Sequence, residues 1–147
     1  MELVVFIGLQ GSGKSEFYAT RFADSHLRVN RDMLRTRRRE NAILSASLEV
    51  GQRVVIDNTN PTTADRAVYL RAAEEHHFQA VAYFFDVPFE TCAARNYARP
   101  GKKCIPEKGL KATAKKLVAP TEFEGFCKIF YVDADGTSEL RWSKHEV

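Results

Sequence analysis

Residues 8–15 read Gly8-Leu9-Gln10-Gly11-Ser12-Gly13-Lys14-Ser15, a complete G-x-x-x-x-G-K-[ST] pattern. The chemistry of such a loop is the cradling of a polyphosphate. Successive backbone N–H groups point inward, and Gly8, Gly11 and Gly13 keep Cβ atoms away from the ligand. Lys14 is placed to reach the β and γ phosphates, and the Ser15 hydroxyl to hold Mg²⁺. Gly11, Ser12, Gly13, Lys14 and Ser15 are therefore the expected ATP-binding residues. The pattern arises by chance in roughly one chain of this length in a few hundred. Here it directly follows the apolar run Leu3-Val4-Val5-Phe6-Ile7, the strand context that the motif requires.

Phosphoryl transfer needs further groups: one to take a proton from the acceptor, and cations to cover the charge that develops on the γ-phosphate. Asp32 is the candidate base, with Arg35 at i+3 as a phosphate contact. Alternatively, Asp32 is only a helix N-cap and Arg35 its surface partner. Asp57 closes the run Arg53-Val54-Val55-Ile56 and has the position of a metal-associated acid, or of an ordinary polar strand end. Asn58 and Asn60 could contact the acceptor or simply shape the turn. Arg66 could reach the same cleft or lie on a solvated helix face. Arg95 and Arg99, at i and i+4 before Pro100-Gly101, read either as a basic lid carrying arginines to ATP or as two solvated surface side chains.

These residues need a frame. Apolar strand-like runs alternate with helix-like segments along the chain. The expected strands are Leu3–Ile7, Leu27–Asn30, Arg53–Asp57, Ala80–Phe85 and Cys127–Val132. Helices are expected over about 14–23, about 32–50, from Pro61 with Asn60 as cap, from Pro88, and over about 107–118. In the third of these helices, Ala64, Val68 and Ala72 share a face, with Ala67 beside them. Such alternation predicts an α/β domain, a central parallel five-stranded sheet with helices on both faces. Ligands bind such sheets at the carboxyl ends of the strands, which groups the phosphate loop with Asn30-Arg31-Asp32, Asp57 to Asn60, and Asp86-Val87-Pro88.

The 147 residues suit a single domain, 1–147, with a lid at about 95–116 and a polar, peripheral tail at about 134–147. Cys92, Cys104 and Cys127 form no C-x-x-C pair and read as idle thiols of a reducing compartment. No apolar stretch approaches membrane-spanning length, and the N-terminus has no signal-peptide pattern, so the expected location is cytoplasmic. Net charge is only +3, but eight Lys or Arg residues lie between Arg95 and Lys116, against the single acid Glu107. A second basic cluster joins Arg28, Arg31, Arg35, Arg37, Arg38 and Arg39. Either both are solvated helix faces, or they serve a polyanionic ligand beyond ATP.

Taken together, the segments Val29-Asn30-Arg31-Asp32-x-x-Arg35, Val55-Ile56-Asp57-Asn58-Thr59-Asn60-Pro61, Phe85-Asp86-Val87-Pro88, Arg95-Asn96 with Arg99, and Ala119-Pro120-Thr121-x-x-x-Glu124-Gly125-Phe126 resemble the 5′-kinase domain of polynucleotide kinases. The resemblance runs from Leu3 to about Val132. It implies a P-loop kinase fold and transfer of the γ-phosphate of ATP to the 5′-hydroxyl end of DNA or RNA, with Mg²⁺. By position it implies that Asp32 is the general base, Arg35 the acceptor-side phosphate contact and Arg99 the lid arginine. Lys14 and Ser15 match the groups for ATP and Mg²⁺. The sequence departs from the family at Glu16, where threonine is more usual, and between Arg39 and Gly51. It carries no phosphatase, ligase or break-sensing segment. The rival reading is a small-molecule P-loop kinase acting on a nucleoside, sugar or antibiotic hydroxyl. A third is an ATP-operated binding module, against which Asp32 argues.

Overall fold

A computed structural model describes residues 1–144, apart from the side chain of Lys102. The elements run β1 (Glu2–Ile7), α1 (Lys14–Arg21), β2 (Leu27–Val29), α2 (Arg31–Leu34), α3 (Arg37–Glu49), β3 (Val54–Ile56), α4 (Thr63–Glu75), β4 (Gln79–Phe85), α5 (Phe89–Tyr97), α6 (Glu107–Lys116), β5 (Lys128–Val132) and β6 (Ser138–Ser143). The strand order is β2-β3-β1-β4-β5-β6. β1 to β5 pair in parallel, while β6 joins β5 antiparallel.

Period-two alternation in β1 builds both halves of the core. Leu3, Val5 and Ile7 face one side, where α3 and α4 supply Leu44, Leu48, Tyr69 and Ala73. Val4 and Phe6 face the other, against Phe17 of α1, Cys92 of α5 and Leu110 of α6. Phe6 lies at the centre of an aromatic group, 5.0 Å from Phe85 and 5.9 Å from both Phe17 and Phe22 between ring centroids. Edge-to-face packing of this kind adds stability beyond area burial.

Four expectations need correction. The sheet has six strands rather than five, because Ser138–Ser143 of the supposed peripheral tail forms the edge strand β6. Its Trp142 packs partly buried against the core, and this small apolar content escapes notice in a polar tail. The long arginine-rich helix is two helices, broken at Arg35, where φ is 76° and the chain turns before Thr36 caps α3. α4 begins two residues later than expected from Pro61. Thr62 caps it, accepting from the Asp65 N–H while the Asp65 carboxylate accepts from the Thr62 N–H. The buried face of α4 carries Arg66, Tyr69 and Ala73, whereas Ala64 and Val68 are exposed. Amphipathic Tyr and Arg bury large apolar stems that a hydrophobic pattern does not count.

Candidate functional site

The strand order reverses direction at β1, and the phosphate loop leaves β1 at that point. The Gly8 N–H donates to the Thr59 carbonyl at 3.0 Å, which fixes the start of the loop to the segment after β3. Gly11 has a φ of 81°, and a Cβ there would overlap the Cys92 carbonyl of α5. The glycine is therefore required by packing against α5 as well as by approach to a ligand. Lys14 folds back over the loop, its Nζ donating to the carbonyls of Gly8 at 3.0 Å and Leu9 at 2.8 Å. Burial pushes its ammonium down to about 8, Asp57 opposes this and Arg99 adds to it. Asp32 acts on the same charge more weakly than Asp57 and Arg99. The strand-end rule groups the phosphate loop with Asp32 and Asp57, whereas Arg99 lies beyond the end of α5.

After β2 the helix cap falls to Asn30 and not to Asp32. Asn30 is the N-cap of α2, its Oδ1 accepting from the Met33 N–H at 2.9 Å. Asn30 Nδ2 also donates to the Asp57 carbonyl at 2.6 Å, tying the ends of β2 and β3 together. Asp32 is exposed in the first turn, and its carboxylate takes no part in capping. Arg35 is exposed at the break between α2 and α3, and among the described residues no ion pair joins it to Asp32.

Asp57 is buried, its side chain only 1% exposed. Arg28 Nε donates to its Oδ2 at 2.7 Å, and Arg28 Nη2 donates to Ser15 Oγ at 3.0 Å. The Ser15 hydroxyl itself lies 3.4 Å from Asp57 Oδ2. A guanidinium thus stands between the two residues expected to serve Mg²⁺. Two oxygen donors already holding a cation fit a hard metal. Among the described residues no group of three or more His, Cys, Asp or Glu could hold a metal ion, so most of the metal's ligands would have to be phosphate oxygens and water.

Three expected acceptor contacts are otherwise engaged. Asn60 is buried with a φ of 43°, and its Nδ2 donates to the Phe6 carbonyl at 2.8 Å. It shapes the turn rather than facing a ligand. Asn58 accepts from the Arg31 N–H at 2.9 Å and donates to Glu40 at 3.1 Å. It belongs to a polar network in which Tyr69 donates to Glu40 and Arg31 pairs with Glu40 at 3.2 Å. Burial pushes the Glu40 carboxyl up, but the hydrogen bonds from Tyr69, Arg31 and Asn58 outweigh it and hold the group below its ordinary range. Arg66 is fully buried, neither in the cleft nor on a solvated face. It donates to the carbonyls of Thr62 at 3.0 Å and Val118 at 2.9 Å and lies 3.3 Å from Glu124.

On the lid side, Arg95 donates to the Ala134 carbonyl at 2.7 Å and approaches Gly13. Together with Ser12, Phe85, Asp133 and Gly136 it lines a cleft of about 420 Å³ beside the phosphate loop. The β5–β6 turn is thus part of the site. The loop beyond α5 is tethered rather than free. Buried Asn96 donates to the Ile105 carbonyl at 2.8 Å and accepts from its N–H at 2.9 Å. Sequence reasoning gave no site role to Arg28, Glu40, Tyr69 or Asn96. The signals present were Glu40 as a lone acid directly after three arginines, Arg28 in the basic cluster and Asn96 in the Arg95-Asn96 segment.

The profile of a family described as an AAA domain matches residues 34–120, more than half of the chain. The chain belongs to this AAA-domain family. Two curated relatives share the resemblance to polynucleotide kinases seen in the motifs. A putative bifunctional polynucleotide phosphatase/kinase of Acanthamoeba polyphaga mimivirus is 29% identical over 97% of this AAA-domain chain and 37% of its own length. The bifunctional polynucleotide phosphatase/kinase of Schizosaccharomyces pombe is 29% identical over 87% of the chain and 32% of its own length. The chain therefore spans about a third of the length of these relatives. Among solved structures, a gluconokinase from Sinorhizobium meliloti 1021 superposes with a TM-score of 0.63 at 19% identity, covering 90% of this chain and 82% of its own. The fold of this AAA domain is thus that of P-loop kinases. No helix among the described residues is long and apolar enough to cross a membrane.

Proposed function

We propose that the protein is an ATP-dependent phosphotransferase that phosphorylates the 5′-hydroxyl end of DNA or RNA. The observation that carries this reading is the release of Asp32 from capping. Asn30 caps α2, leaving the Asp32 carboxylate exposed just past the carboxyl end of β2, the sheet edge at which the phosphate loop leaves β1. A binding module that only switches on ATP has no need of such a group. Similarity to the two polynucleotide phosphatase/kinases supports a nucleic-acid acceptor.

In this reading the triphosphate draws Lys14 off the Gly8 and Leu9 carbonyls, and the nucleoside occupies the cleft beside Arg95 and the Asp133–Gly136 turn. Ser15, with Asp57 behind it, would hold Mg²⁺, which supplies charge neutralisation on the phosphates when bound. Asp32 takes the proton of the acceptor hydroxyl. That oxygen bonds to the γ-phosphorus as the bond to the β-γ bridging oxygen breaks, leaving ADP. Lys14, Arg35 and Arg99 cover the charge that spreads over the transferring group.

A second reading has one specific support. The groove beside the Glu40–Tyr69 network, lined by Arg31, Arg37, Asn58 and Thr59, has a volume of about 420 Å³, suited to a single nucleoside or sugar. The deciding experiment incubates the protein with γ-labelled ATP, Mg²⁺ and 5′-hydroxyl DNA and RNA oligonucleotides, with nucleosides and gluconate in parallel. Labelled oligonucleotide supports the proposal. Label appearing only on a small molecule transfers it to the second reading, and label on nothing removes both.

A further inference from the structure

Arg28 has no part in the transfer described above, yet it makes two of the site's closest polar contacts. It lies in the middle of β2, and its side chain is 28% exposed. Its guanidinium spans Asp57 Oδ2 at 2.7 Å and Ser15 Oγ at 3.0 Å. A carboxylate as buried as Asp57 requires a positive partner, and Arg28 supplies it. The guanidinium carbon lies 6.0 Å from the Tyr18 ring centroid, and the Tyr18 hydroxyl is anchored to the His26 carbonyl at 2.6 Å. The cation is thus held from both sides, by a carboxylate within and an aromatic face without.

We infer that Arg28 is an internal counter-ion that occupies the divalent-cation position between Ser15 and Asp57 and is displaced when metal and nucleotide load. It acts as a positioning residue that sets the metal requirement of the site. A dication entering there draws on the same two oxygens and meets like-charge repulsion from the guanidinium. Arg28 is on a short strand, with its side chain partly in solvent, so it can leave without unfolding the sheet. Metal alone therefore binds weakly, and it enters together with the phosphates that outweigh Arg28. The inference rests on the proposed metal site but not on the identity of the acceptor.

The test uses no acceptor. Binding of Mn²⁺ without nucleotide is followed by electron paramagnetic resonance for the native protein, Arg28→Gln and Arg28→Lys, and thermal midpoints are recorded with and without Mg²⁺. Native protein is expected to show little stabilisation by Mg²⁺ alone. Arg28→Gln should melt lower without metal, recover with Mg²⁺, and bind Mn²⁺ about tenfold more tightly, the worth of one charge-assisted bond. Arg28→Lys, which keeps the charge with fewer donors, should fall between the two. It provides the same comparison if Arg28→Gln fails to fold. Unchanged or weaker Mn²⁺ binding in both variants, or in Arg28→Lys alone where Arg28→Gln does not fold, would overturn the inference. Oligonucleotides left unlabelled in the transfer assay would leave it standing.

Discussion

Replacing Arg66 with methionine keeps the apolar stem of the side chain and deletes its guanidinium. Arg66 is 0% exposed, and its ion-pair partner Glu124 is only 8% exposed. The change removes donors from the Thr62 and Val118 carbonyls, although Thr62 retains the Arg66 backbone N–H at 3.4 Å. The loss therefore falls on Val118, which gains no other donor, and on Glu124, left buried without its cation. Removing one partner of a buried pair costs about 3–5 kcal/mol. Arg66 Nη1 and Glu124 Oε1 lack aligned hydrogen bonds in the native protein, which points to the lower end of that range. A loss of about 3 kcal/mol lowers the melting temperature of a chain this size by about 10 °C. Urea denaturation of the native protein, Arg66→Met, Glu124→Gln and the double variant measures it. The double variant should lose about 1 kcal/mol or more less than the sum of the single losses, because the stranded carboxylate is gone. Affinity for ATP and oligonucleotide, taken where both proteins are folded, should be unchanged. Weakened oligonucleotide binding with stability lowered by under about 1 kcal/mol would show that Arg66 serves the acceptor and that the buried-strut reasoning is wrong.

Three further outcomes are expected. Asp32→Ala should reduce phosphoryl transfer by about a hundredfold or more while ATP affinity stays within about twofold, and surviving transfer would demote Asp32 to a surface residue. Lys14 is pushed down to about 8, so its ammonium is lost from the free protein as the pH rises through that value. A triphosphate binds the ammonium form, so nucleotide binding above about pH 8 should take up a proton and weaken with rising pH. Titration calorimetry in buffers of different ionisation heat reads the uptake directly, and its absence near pH 8.5 to 9 contradicts the assignment. Glu40 is held below its ordinary value of 4.5, so its contribution to stability is complete above that pH and is lost as the pH falls through its lower folded value. Glu40→Gln should flatten this acid limb in thermal melts, and an unaltered limb would exclude Glu40 as its source.

The phosphate loop was legible because its glycines and Lys14 follow directly on an apolar run. The run Leu3–Ile7 announces a buried strand, and the strand-end rule then brings Asp57 to the loop, where it lies 3.4 Å from Ser15. What the sequence left ambiguous was how polar groups are consumed locally. Asp32 and Asn30 are both good caps by type, and only the backbone shows that Asn30 holds the position. Asn60 and Arg66 have the residue types of ligand contacts, yet both satisfy buried carbonyls, a demand created by tertiary packing and invisible in the local pattern. The tail was misjudged for a related reason. A single edge strand needs only one partner and a few apolar contacts, so β6 carries little hydrophobic signal.

The contact between Gly11 and the Cys92 carbonyl has a mechanical meaning. With no Cβ at residue 11, the phosphate loop and α5 meet backbone to backbone, leaving no side chain between them to absorb motion. The junction is therefore the point about which any tilt of α5 would turn. Arg95 lies about 4.5 Å along the axis of α5 from Cys92. A tilt of about 10° at that point would swing Arg95 by roughly 0.8 Å, at about 1.5 Å of lever per residue. A bulkier residue at position 11 would alter the rest angle of α5 as well as the shape of the loop, so one glycine sets both the loop's conformation and the placement of Arg95.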